Sequence, residues 1–148
     1  YQIEYSQKHL LKMRALFSDS KLTIFTSEDH PHAYKTALNS WLRNFAKTAI
    51  TKRVLELSKL YDFIFNKIAI RDQSSRWGSC SSAKNLNFSW RLILLSPSIM
   101  DYIIIHELSH TKQMNHSKVF WAIVEEIVPE HKVFRKWLRK NGGEIMRL

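Results

Sequence analysis

Cysteine, glycine and proline are all scarce in this 148-residue chain, at one, three and three residues. The lone thiol, Cys80, rules out an intrachain disulfide and points to a reducing, cytoplasmic setting. No apolar run approaches the ~20 residues of a membrane helix and no signal peptide is visible, so no membrane partner is expected. Acidic residues are outnumbered 13 to 23, leaving a net charge of +10 and a pI near 9.9. The surplus is spread over both halves of the chain rather than gathered in a tail. It suits acidic partners such as nucleic acid or nucleotides, and equally a solvated protein face. An apolar content of 45% is enough for one core, so the chain reads as a single domain over 1–148.

The few prolines and glycines mark where helices start and stop. Pro31, after Asp29-His30, opens a long helix; Pro97, after Ser96, opens another; Pro129 ends a third. A last helix, His131 to Lys140, is expected to close at Asn141-Gly142-Gly143. In the long helix, apolar residues recur at Tyr34, Ala37, Leu38, Trp41, Phe45, Ala49, Leu57 and Leu60, opposite Lys35, Arg43, Lys47 and Lys52. Ahead of it, residues 1–28 hold an N-terminal hairpin, Met13 to Phe17 against Leu22 to Thr26. His9, His30 and His32 read as surface groups. Phe63 to Ile70 reads as a strand, and so does the alternation of Leu86, Phe88, Trp90 and Leu92 with Asn87, Ser89 and Arg91. The class is therefore α+β: a long N-terminal helix, a small antiparallel sheet and three further helices.

The second helix carries the chemistry. Residues 106–110 read His106-Glu107-Leu108-Ser109-His110, and on a helix two histidines four apart lie one above the other, placed to share one ion. Glu107 is offset enough to miss the ion and close enough to take a proton from a metal-bound water. A catalytic zinc needs three protein ligands and an open position, and His116 is the candidate third. Six more helical residues would turn it away, so the helix must stop after His110. Asn115 is expected as a left-handed cap and Ser117 as the N-cap of a new helix beginning Val119-Phe120-Trp121. The metzincin pattern has the same histidine spacing, but Gln113 stands at its turn glycine and no Met-turn follows. A thermolysin-like third ligand would be Glu125 or Glu126, which read instead as a solvated face.

Arg76-Trp77-Gly78-Ser79-Cys80, Trp90-Arg91-Leu92, Asp101-Tyr102 leading into His106-Glu107-Leu108, Asn115-His116-Ser117 and Phe120-Trp121 together resemble the YgjP-like metallopeptidase domain. That family is kin to the SprT-like proteases and is often placed among M48-type peptidases. The resemblance runs over about 30–143, with Ser89 where the family usually has asparagine. It implies a minigluzincin-like zincin fold, with His106, His110 and His116 as ligands of one zinc ion and Glu107 as general base.

The leading expectation is a zinc-dependent hydrolase, a metalloendopeptidase that attacks peptide bonds with a Glu107-activated water. An extended peptide or protein substrate would pair with the sheet edge beside the helix, where Gly78 lets it approach closely. Arg76 and Arg91 are candidate binders of a substrate carboxylate, phosphate or oxyanion; their structural alternative is pairing with Asp72 or Asp101. Trp121 is expected to pack beneath His116. Two other readings keep the same residues: a metal-dependent nucleotide or phosphoanhydride hydrolase, and a DNA-associated SprT-like protease or binding module using the basic surface.

Overall fold

The computed structural model describes residues 2–7, 14–18, 21–26 and 33–147. They fall into two compact units, Tyr1–Phe45 and Ala46–Leu148. In the first, strands β1 (Gln2–Gln7), β2 (Arg14–Ser18) and β3 (Lys21–Thr26) form a sheet in the order β1-β3-β2. The expected hairpin is there, β2 antiparallel to β3. A further strand, β1, joins β3 in parallel. The opening Asp29-His30-Pro31 turn, His9, His30 and His32 lie outside the described residues. Helix α1 runs from Ala33 to Leu60, and within the first unit Trp41 stacks on Phe45 at 5.1 Å.

In the second unit the buried stripe of α1 is Ala46, Ile50, Val54 and Leu57, spaced at four, four and three residues along one helical face. This corrects the expected stripe by about a residue, since Leu60 is 68% exposed. Asp62, with φ of 56°, turns the chain out of the helix in a left-handed conformation. Strands β4 (Lys67–Arg71), β5 (Gly78–Cys80) and β6 (Asn85–Ser89) follow.

This sheet, expected to be antiparallel, is mixed. The short turn at Ser81–Lys84, with Lys84 left-handed, makes β5 antiparallel to β6. β4 reaches the other edge of β6 through the loop 72–77 and pairs with it in parallel. Leu86 and Phe88 point from β6 into the core, while β5 is left as an edge strand.

The strand predicted to run on through Leu92 ends at Ser89, and Trp90–Leu94 winds into a 3-10 turn. Ser89 is the reason: fully buried, its hydroxyl accepts from Arg91 N and donates to the carbonyl of Gln73. The serine thus caps the turn and holds the 72–77 loop. Helices α2 (Pro97–Ser109), α3 (Lys118–Ile127) and α4 (His131–Ile145) complete the unit.

α2 buries Ile99, Tyr102, Ile103, Ile104, Ile105 and Leu108, so it is enclosed on most sides, in contact with β5, α3 and α4. Arg53 of α1 grips it through a two-pronged pair with Asp101, at 2.8 and 2.7 Å. α4 does not close at Asn141-Gly142-Gly143 but runs through both glycines to Ile145. A Cβ on Gly142 would meet the Trp77 indole nitrogen at 3.3 Å, so this glycine serves close packing rather than a cap.

Candidate metal centre

His106 lies in the last turn of α2 and His110 is its C-cap, still in helical conformation, so the expected stacking on one face holds. The helix then ends as anticipated. Thr111 and Gln113 donate backbone hydrogen bonds to Leu108 and Ser109, and Ser117 caps α3 by accepting from Phe120 N. Asn115 has no left-handed conformation, since among the described residues only Asp62 and Lys84 have positive φ outside glycine. The turn is built by hydrogen bonds instead, including Gln113 Nε2 to Asn115 Oδ1 at 2.7 Å.

The turn brings His116 back to α2. The three imidazole centroids stand 5.0, 5.1 and 4.7 Å apart, and one nitrogen from each ring lies within 4.8 Å of the others. His106 Nε2 and His116 Nε2 are 3.1 Å apart, near the separation of two nitrogens ~2.1 Å from one tetrahedral ion. His110 Nδ1 sits 3.2 Å from the carbonyl of Gln113; donating there leaves the Nε2 lone pair for the cluster. Burial first, then neighbouring His110 and His116, push the pKa of His106 down to about 3. Burial likewise lowers that of His110. Both rings are therefore neutral at physiological pH, as a metal ligand must be. These donors can hold a divalent metal ion.

Phe120, fully buried, packs against all three rings, with centroids 4.9, 4.4 and 4.8 Å away. Trp121, expected to pack beneath His116, also contacts that ring, with centroids 5.8 Å and planes 30° apart. Trp121 stacks on His131 at 5.3 Å and carries the Arg135 guanidinium over its ring at 5.0 Å.

Glu107 is buried, and burial raises its pKa to about 7 against the opposing pull of Arg76. Its side chain lies over Gly78: a Cβ there would be 2.6 Å from Glu107 Cγ and 3.0 Å from Oε1. Gly78, expected to make room for substrate, makes room for the carboxylate. Arg76 is exposed, its Nε 3.4 Å from Gln73 Oε1, with its charge acting on Glu107.

Arg91 pairs with Asp72 at 2.7 Å and lines a cavity that includes neither Glu107 nor the histidines. The pairing expected for Arg76 or Arg91 with Asp101 is made by Arg53. Glu125 and Glu126 are exposed and join no cluster of ligating side chains among the described residues; Glu125 accepts from Lys132. The contributions of Phe120, Gln113 and Arg53 were missed, although the Phe120-Trp121 pair after Ser117 marked the segment that holds the site.

Comparison with curated proteins finds no match. Among solved structures, the crystal structure of the metallopeptidase zymogen of Pyrococcus abyssi abylysin is similar, with a TM-score of 0.55 and 23% identity over 63% of this chain and 95% of that one. At that identity the likeness establishes the fold, an α+β arrangement of the zincin kind. The model of the family described as YgjP-like, metallopeptidase domain, matches residues 1–141, and the chain belongs to that family.

Proposed function

We propose that this protein is a zinc-dependent metalloendopeptidase in which His106, His110 and His116 hold one zinc ion and Glu107 is the general base. The observation that carries the reading is the convergence of three imidazoles, two of them, His106 and His110, with pKa values lowered by burial, beside a buried carboxylate whose pKa is near 7. A donor set of imidazoles alone suits zinc, whereas phosphate chemistry usually relies on magnesium held by carboxylates, so peptide hydrolysis is favoured over nucleotide hydrolysis. Zinc bound there would polarise the scissile carbonyl and acidify the attacking water.

The chain's own residues do the rest. Edge strand β5 offers main-chain groups to an extended peptide, as β-strand addition requires. Glu107, seated over Gly78 at the start of that strand, accepts a proton from the attacking water and returns it to the leaving amine. Arg76, exposed beside Glu107, supplies positive charge toward the developing oxyanion or a substrate carboxylate.

The test is Glu107→Gln with metal content measured beside activity. The reading expects loss of proteolysis of an unfolded protein while zinc stays bound. Full activity in the variant would refute the role of Glu107. A DNA-associated role would use the exposed cations of α4, among them Lys132, Arg135, Lys136 and Arg139. It predicts salt-sensitive DNA binding, and a flat salt titration removes it.

A further inference from the structure

A cavity of about 610 Å³ lies between the 72–77 loop and the end of α4, within the range of small-molecule sites. We propose that it binds a small organic anion, a carboxylate or phosphate carried on an apolar body, at a site separate from the three histidines. The polar side of its lining is Arg91, Arg147, Ser74 and Ser75, with no acidic residue among the described lining residues.

Arg91 is the anchor. It is 8% exposed, its Nη1 donates to Asp72 at 2.7 Å, and its plane rests over the Trp90 ring at 4.8 Å. Its Nε is buried with no hydrogen-bond partner. A guanidinium has five N–H donors, and among the described residues its acceptor, Asp72, is shared with Trp90 Nε1. A buried cation so incompletely matched is stabilised by a second anion. Arg147, exposed on the rim, adds a second guanidinium, and the two serines add hydroxyl donors. Trp77, Leu138 and Met146 form the apolar wall, which calls for a ligand with an apolar body rather than a bare ion. This site stands independently of the metallopeptidase reading.

The experiment is calorimetric titration of the intact protein with phenyl phosphate and with benzoate, at constant ionic strength set by chloride. Two variants accompany it. Gly143 lines the cavity, and a Cβ added there meets nothing within 4 Å, so Gly143→Phe adds a bulky ring at the lining from a position with room for its first atom. Arg147→Gln removes the exposed charge.

The proposal expects at least one probe to bind, Gly143→Phe to abolish binding, and Arg147→Gln to weaken it about tenfold, the worth of one charge-assisted hydrogen bond. Binding of phenyl phosphate alone identifies a phosphate ligand and binding of benzoate alone a carboxylate, and either supports the site. Binding of neither probe above the chloride reference overturns it, as does undiminished binding by Gly143→Phe. Should Gly143→Phe fail to fold, unchanged affinity in Arg147→Gln overturns it alone.

Discussion

Replacing Gly78 with alanine is the sharpest test of how Glu107, the proposed general base, is held. The added Cβ would lie 2.6 Å from Glu107 Cγ and 3.0 Å from its Cδ, whereas carbon atoms rest at ~3.5–4.0 Å. About 1 Å must be opened. Cγ sits only two bonds from the backbone of α2, whose Ile103, Ile104 and Leu108 are buried, so the carboxylate must swing or β5 must move away. Overpacking of this kind destabilises by about 1–3 kcal/mol, several degrees in Tm for a chain of this size. Activity should suffer more, because a catalytic group misplaced by ~1 Å loses on the order of 100-fold. The assays are thermal melting and cleavage of a fluorophore-labelled unfolded protein, with zinc content measured in the same samples. A second background isolates the contact: in Glu107→Ala the clashing atoms are gone, so the Gly78→Ala penalty on stability should largely disappear. An equal penalty in both backgrounds, or a Gly78→Ala enzyme with full activity, would refute the reasoning.

Other consequences are simpler to check. The wild-type chain should bind zinc near one equivalent and His116→Ala should bind it far more weakly; at ~1,000 times Kd the ion should add about 4 kcal/mol to the wild-type stability, measured by melts with zinc or chelator. Asp101→Asn breaks the two-pronged pair that holds Arg53 at 2.7–2.8 Å and leaves the guanidinium with Glu56 alone; with Arg53 38% exposed, stability should fall by about 1 kcal/mol or less in denaturant titrations. Gly143→Ala, in the last turn of α4 with open space for its Cβ, should stabilise by up to about 0.5 kcal/mol. Gly142→Ala should gain less or lose, because its Cβ comes 3.3 Å from the Trp77 indole; equal gains at both positions would show that this contact is not tight.

The histidine triangle was legible because it depends on local rules. A four-residue spacing puts His106 and His110 on one face, and Ser117 caps a new helix, which together return His116 to the centre. What the sequence hid was non-local. The parallel pairing of β4 with β6 follows from which edge of β6 the 72–77 loop reaches, and no periodicity carries that. Gly78 suggested a close approach, but not that the approaching group is Glu107, 29 residues away. Gly142 beside Gly143 imitates a helix stop, and only the indole of Trp77 against it explains why the helix continues. Gln2–Gln7 does alternate apolar Ile3 and Tyr5 with polar neighbours, a short strand signal.

Phe120 has a consequence for what metal loading asks of the chain. Its ring stands 4.4–4.9 Å from each of the three imidazole centroids, as an apex over their triangle. A ring there leaves only the opposite side from which an ion can reach all three nitrogens. It also limits how far each imidazole can tilt, and His106 and His116 already hold their Nε2 atoms 3.1 Å apart. The centre is thus preorganised by an aromatic side chain that cannot itself be a ligand. Small zinc domains that fold around their metal spend much of the binding energy on ordering the chain. With Phe120 fixing the rings, the affinity for an ion bound there would depend chiefly on the donors themselves.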